Sequence, residues 1–78
     1  MIKFKLRELL HKHDITRNAL AREAKVRPNL IYEICDNQTK RIEVKTLNQL
    51  VSTLRKMTNT DINITDIFEY IEEKTKND

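Results

Sequence analysis

Apolar positions along this chain recur at helical spacing and are separated by short polar breaks. Ile2, Leu6, Leu9, Leu10 and His13 follow one another at spacings of 4, 3, 1 and 3. That pattern predicts one face of a first helix, with Phe4 off the centre of the stripe. Asp14-Ile15-Thr16 interrupts it, and Thr16 predicts an N-cap, because its hydroxyl accepts from an orphan helical N–H. A second helix then reads Arg17 to Ala24, with Leu20, Ala21 and Ala24 turned inward. Its three alanines let another helix approach closely.

Lys25-Val26-Arg27-Pro28 forms a joint. Proline suits the first turn of a helix, and it pushes the preceding residue away from helical angles. A third helix therefore starts at Arg27 to Pro28 and runs from Asn29 to about Asp36. Ile31 and Ile34 face in, while Asn29, Tyr32 and Glu33 face out. The polar stretch Asp36 to Arg41 is a loop, with Asn37 placed in a left-handed cap for want of glycine. Val44, Leu47, Leu50, Val51, Leu54 and Met57 form the stripe of a fourth helix. Thr58 to Asp61 interrupts. Asn63 and Asp66 have the spacing of a capping box for a short last helix, which turns Ile64, Ile67, Phe68 and Ile71 inward. The expectation is an all-α chain of five helices without a strand. It is a single domain over 1–71, followed by a charged tail over 72–78.

Composition narrows the function. The chain has 78 residues, with Gly 0, Pro 1 and Cys 1. Without glycine there is no phosphate-cradling loop, so the nucleotide-binding motifs are excluded. One cysteine permits neither an internal disulfide nor a cysteine-based zinc site. Together with the lack of an apolar leader or an 18-residue apolar run, this points to a cytoplasmic protein with no membrane span. Residues 1–41 carry ten lysines and arginines against five acids, and residues 42–78 carry five against seven. That asymmetry points to a polyanion-facing half.

Candidate catalytic and metal-binding chemistry is sparse. His11 and His13 lie two apart and point to different sides of their helix, so no metal site is expected. Cys35 reads as a packing residue. No nucleophile–base pair is present, and neither an enzymatic activity nor a cofactor is expected.

The unit from Thr16 to Asn37 is a short helix, a tight joint and a second short helix, the spacing of a helix-turn-helix over about 16–36. Leu20 to Ile34 resembles the helix-turn-helix of the Cro/phage-repressor, or XRE-like, family. Lys40 to Leu50 is similar to that family's loop and fourth helix, and Ile62 to Tyr70 to its last helix. The resemblance covers roughly residues 3–71 and implies a five-helix, lambda-repressor-like domain. Two departures stand out. Lys25 occupies the place of a left-handed glycine, and Arg55 to Asp61 adds about six residues between the last two helices.

The resemblance implies a sequence-specific regulator that binds double-stranded DNA, a small repressor acting by operator occupancy. It places Thr16, Arg17, Asn18, Lys40 and Arg41 against phosphates. Arg27, Pro28, Asn29, Tyr32 and Glu33 take the base-reading face. Asn29 suits adenine, and Glu33 either accepts from cytosine N4 or pairs with a base such as Arg27. A single recognition helix reads few base pairs, so a weak homodimer is expected, with Met57, Ile62 or Tyr70 at the contact. The alternative reading is a protein-interaction module, an antitoxin or adaptor, on the same fold.

Overall fold

The computed structural model describes residues 1–72; of the tail expected over 72–78, residues 73–78 lie outside the described part. The elements run β1 (Ile2–Phe4), α1 (Leu6–Lys12), α2 (Arg17–Ala24), α3 (Pro28–Cys35), α4 (Val44–Thr58), α5 (Ile64–Ile67) and β2 (Phe68–Tyr70). The five expected helices are all present.

Helix ends explain how a chain without glycine turns so sharply. Asp14, Lys25, Asn37 and Asn59 all adopt positive φ, between 52° and 60°. Three of these positions close a helix with the same pair of bonds. After α1, Ile15 N–H donates to the Leu10 carbonyl and Asp14 N–H to that of His11. Val26 and Lys25 repeat the pattern on Ala21 and Arg22 after α2, and Gln38 and Asn37 on Glu33 and Ile34 after α3. Each pair satisfies carbonyls that the helix end leaves open. The left-handed reading of Lys25 and Asn37 therefore holds.

The two ends of the chain differ from the all-helical expectation. Ile2–Phe4 and Phe68–Tyr70 pair as an antiparallel ribbon with Ile2 opposite Tyr70, Lys3 opposite Glu69 and Phe4 opposite Phe68. The first helix starts at Leu6, and the last stops at Ile67. Strand pairing is a contact between residues far apart in sequence, so a stripe read over one segment misses it. Ile2 sits at helical spacing from Leu6 yet is 62% exposed, whereas off-stripe Phe4 is buried. The Phe4 and Phe68 rings meet edge to face, with centroids 5.6 Å apart. The capping box of α5 is formed, Asn63 N–H donating to the Asp66 carboxylate at 2.8 Å. Beyond its single turn the chain extends, which leaves Ile64 and Ile71 exposed rather than inside. His13 ends α1 half-buried instead of continuing its packed face.

The core draws on every helix. Leu6, Leu20, Ile31, Ile34, Leu50, Leu54 and Ile67 are fully buried. Each such side chain contributes about 2 kcal/mol of transfer free energy. Val44, expected on the α4 stripe, is the first residue of α4 and is 82% exposed. The added segment Arg55 to Asp61 lengthens α4 through Thr58, then reverses at left-handed Asn59. Arg55 Nε donates to the Ile62 carbonyl at 2.7 Å, and Ile62 N–H donates to that of Thr60 at 2.8 Å. The reversal plants Ile62 in the core at 2% exposure. Ile62 is thus removed from the surface expected for a dimer contact.

Candidate nucleic-acid interface

Thr16 opens α2 as expected, its hydroxyl oxygen accepting the Ala19 N–H at 3.0 Å. The hydroxyl hydrogen is left to donate outward. Ala21 is nearly inaccessible in the core with Ile31 and Ile34, and half-buried Val26 packs against it. Arg27 is held extended, as a residue before proline must be, and Pro28 begins α3. This joint turns the outer face of α3 to solvent. Arg27, Pro28, Asn29 and Glu33 are exposed along it, and Tyr32 is half-buried.

Tyr32 does more than line that face. Its hydroxyl donates to Asn18 Oδ1 at 2.7 Å, and the Arg17 guanidinium lies over its ring, 4.5 Å from the centroid. The tyrosine thereby locks the start of α2 to the middle of α3. With its oxygen occupied, the Asn18 amide keeps both N–H donors for an outside acceptor. Arg17 stays planar and stacked, a geometry suited to a phosphate.

The expected site residues fall into three neighbourhoods. Arg27, Asn29 and Glu33 line a groove of about 570 Å³ between α3 and the start of α4. Lys25, Lys45, Thr46 and Gln49 share that groove, and the sequence reading missed them. Lys45 and Gln49 are one turn apart on α4, so helical spacing could have paired them. Thr16 and Arg17 line a second hollow of about 400 Å³ with Arg7 and His11 of α1. Lys40 and Arg41 are exposed on the loop after α3, beside a third hollow bounded by Phe4 and Phe68. The phosphate candidates therefore lie in two separate neighbourhoods rather than forming one patch.

Charge is distributed to match. Among the described residues Lys5 pairs with Glu69, Arg7 with Asp36 and Arg22 with Glu23. Arg17, Arg27, Lys40 and Arg41 take part in no ion pair there, and neither does Glu33. The expected alternative for Glu33, an ion pair with Arg27, is not formed. Beneath the α2–α3 contact, Cys35 packs in the core as expected. Burial pushes its thiol pKa up, against the opposing pull of Arg17 and Arg7.

An exposed helix face that carries Asn29 and Glu33, set by a capped helix and a left-handed joint, is the geometry of major-groove readers. The family model for the Cro/C1-type helix-turn-helix DNA-binding domain matches residues 5–73. The chain belongs to that family. It is a DNA-binding regulator, and the resemblance noted in its sequence is confirmed at the level of the family. No curated protein and no solved structure matched the chain. Within this Cro/C1-type domain, no helix among the described residues is long and apolar enough to cross a membrane.

Proposed function

We propose that the protein is a cytoplasmic, sequence-specific repressor that occupies an operator and excludes polymerase. The observation that carries this reading is the exposed α3 face, where Asn29 and Glu33 lie one turn apart and where, among the described residues, Glu33, Arg17, Lys40 and Arg41 form no ion pair. Asn29 offers a donor–acceptor pair to adenine, and Glu33 offers an acceptor to cytosine N4. Thr16, Arg17 and Asn18 hold the backbone on one side of the groove, and Lys40 and Arg41 on the other. These contacts fix register, while the α3 side chains carry the sequence preference.

A two-fold dimer on half-sites about one helical turn apart completes the reading. With Ile62 in the core, its contact falls to Tyr70, 73% exposed, and half-buried Met57. Tyr70 lies beside exposed Met1, Ile2 and Ile71 at the free end of the ribbon, an apolar surface that association would cover.

Selection of bound sequences from a random duplex pool, followed by footprinting and sedimentation, tests the proposal. A repressor of this kind yields a two-fold symmetric site and affinity that falls steeply with salt. A pool with no enriched sequence, or one protein per duplex on an undivided half-site, would contradict it.

A further inference from the structure

Strand alternation sets Ile2, Phe4 and Phe68 on one face of the terminal ribbon, because Phe4 stands opposite Phe68 and Ile2 lies two residues before Phe4. The loop after α3 runs beside that face, since Asn37 at its start hydrogen-bonds the backbone of Phe4. Ile42 from the loop joins these ribbon residues around a hollow of about 210 Å³. Phe68 and Ile42 are half-buried and Ile2 is exposed, so the apolar lining is open to solvent. Lys40 and Arg41 stand at the hollow and form no ion pair among the described residues, and no acid lines it there. Glu69 alternates to the other face of the ribbon and pairs with Lys5. Thr39 completes the wall. Its hydroxyl is shut off from water and has no hydrogen-bond partner among the described residues.

An apolar wall, two cations and one idle hydroxyl make up a small-molecule site, with a few polar groups converging on apolar surface. We propose that this hollow binds a single-ring aromatic carboxylate, and that the bound anion weakens DNA binding. The first half stands on the hollow alone. The second rests on the DNA-binding reading, which sets Lys40 and Arg41 against phosphates.

Size selects the ring. An apolar cavity of about 150 Å³ holds one benzene, so about 210 Å³ takes a ring and its carboxylate. The ring packs against the phenylalanine that is still half-open, Phe68, and against Ile2 and Ile42. Charge selects the carboxylate. The Arg41 guanidinium matches it with two parallel N–H groups, Lys40 adds a point charge, and the Thr39 hydroxyl gains the acceptor it lacks. The ligand and a DNA phosphate then draw on the same two cations, and each weakens the other's binding by the same factor.

The test titrates the full chain with benzoate at constant ionic strength and follows the backbone amides by heteronuclear NMR. Shifts at Ile2, Phe68 and Thr39 to Ile42 should saturate with a Kd of about 1 mM or tighter. Benzamide keeps the shape without the charge and should bind at least about fivefold more weakly. Acetate keeps the charge without the ring and should not saturate these amides. Thr39→Val should weaken benzoate binding about threefold or more. Ile42→Trp, which fills the hollow, should abolish it. Both positions lie outside the proposed DNA contacts, so both variants should keep their affinity for duplex. Benzoate at about ten times its Kd should lower the wild type's duplex affinity about three- to tenfold in anisotropy, and should leave that of Ile42→Trp unchanged. Shifts that acetate reproduces would overturn the site, as would undiminished benzoate binding by either variant with native circular dichroism. Benzoate seated in the hollow with duplex affinity unchanged would overturn the regulatory half. A wild type that binds benzoate and no duplex would overturn the DNA-binding reading and leave the site standing.

Discussion

The side chain of Asn37 pairs with both backbone groups of Phe4. Its Oδ1 accepts the Phe4 N–H at 2.7 Å, and its Nδ2 donates to the Phe4 carbonyl at 3.4 Å. One residue in the left-handed region thus ends α3 and also covers the outer edge of β1. Glycine would suit the turn but has no amide to offer the strand. Removing that amide leaves partly buried backbone groups without partners. Asn37→Gly should cost about 1–2 kcal/mol in urea denaturation. Asn37→Ala should cost about 1 kcal/mol more, because it also resists positive φ.

Lys25 presents the opposite case. It holds φ 60° at the helix-turn-helix joint, and its side chain makes no hydrogen bond or ion pair among the described residues. Lys25→Gly should therefore keep or raise stability, by up to about 1 kcal/mol. Thermal melts check this, and a clear drop in midpoint would show that the joint depends on the lysine.

The Tyr32 hydroxyl can be removed without disturbing the ring beneath Arg17. Tyr32→Phe should lose the bond to Asn18 and about 0.5–1.5 kcal/mol of stability. Tyr32→Ala should lose more, since the Arg17 stack goes with it. Chemical denaturation of the two variants separates the hydroxyl from the ring.

Phosphate and base contacts should part in DNA binding. Arg17→Ala and Lys40→Ala are expected to weaken binding to all duplexes alike, each lowering the salt slope by about one. Asn29→Ala should instead relax preference at one base position by about 1–3 kcal/mol. Competition titrations over a panel of duplexes distinguish the two outcomes. An unchanged preference in Asn29→Ala would move the reading face elsewhere.

Thiol chemistry reports on the packing under the site. Burial raises the Cys35 pKa, so the folded state holds the neutral thiol as pH rises past the ordinary value, and the unfolded state does not. Alkylation of the native protein at pH 8 should run at least about tenfold slower than in the urea-unfolded chain. Equal rates would mean that Cys35 is not enclosed.

The helices from Thr16 to Thr58 were legible because their signals are local. A capping threonine, a proline at the first turn and apolar residues three and four apart act within one or two turns. Lys25 and Asn37 could be placed in left-handed turns because a chain without glycine must still end its helices. The outward placement of Asn29, Tyr32 and Glu33 followed from the same register, opposite Ile31 and Ile34, whereas their base-reading role was implied by the family resemblance.

Only the tertiary structure decided where the ends of the chain go. Ile2–Phe4 and Phe68–Tyr70 are too short for an alternating pattern to show, and each is extended because the other is there to pair with it. Ile62 looked like surplus apolar surface beside Met57 until the reversal after Asn59 carried it into the core. The grouping of Arg7, His11 and Arg17, and of Lys45 and Gln49 with Asn29, likewise comes from how helices cross. Helical register depends on neighbours a few residues away, and the sequence shows it. Strand pairing, loop reversal and helix crossing depend on residues far apart along the chain, and only the folded packing brings those together.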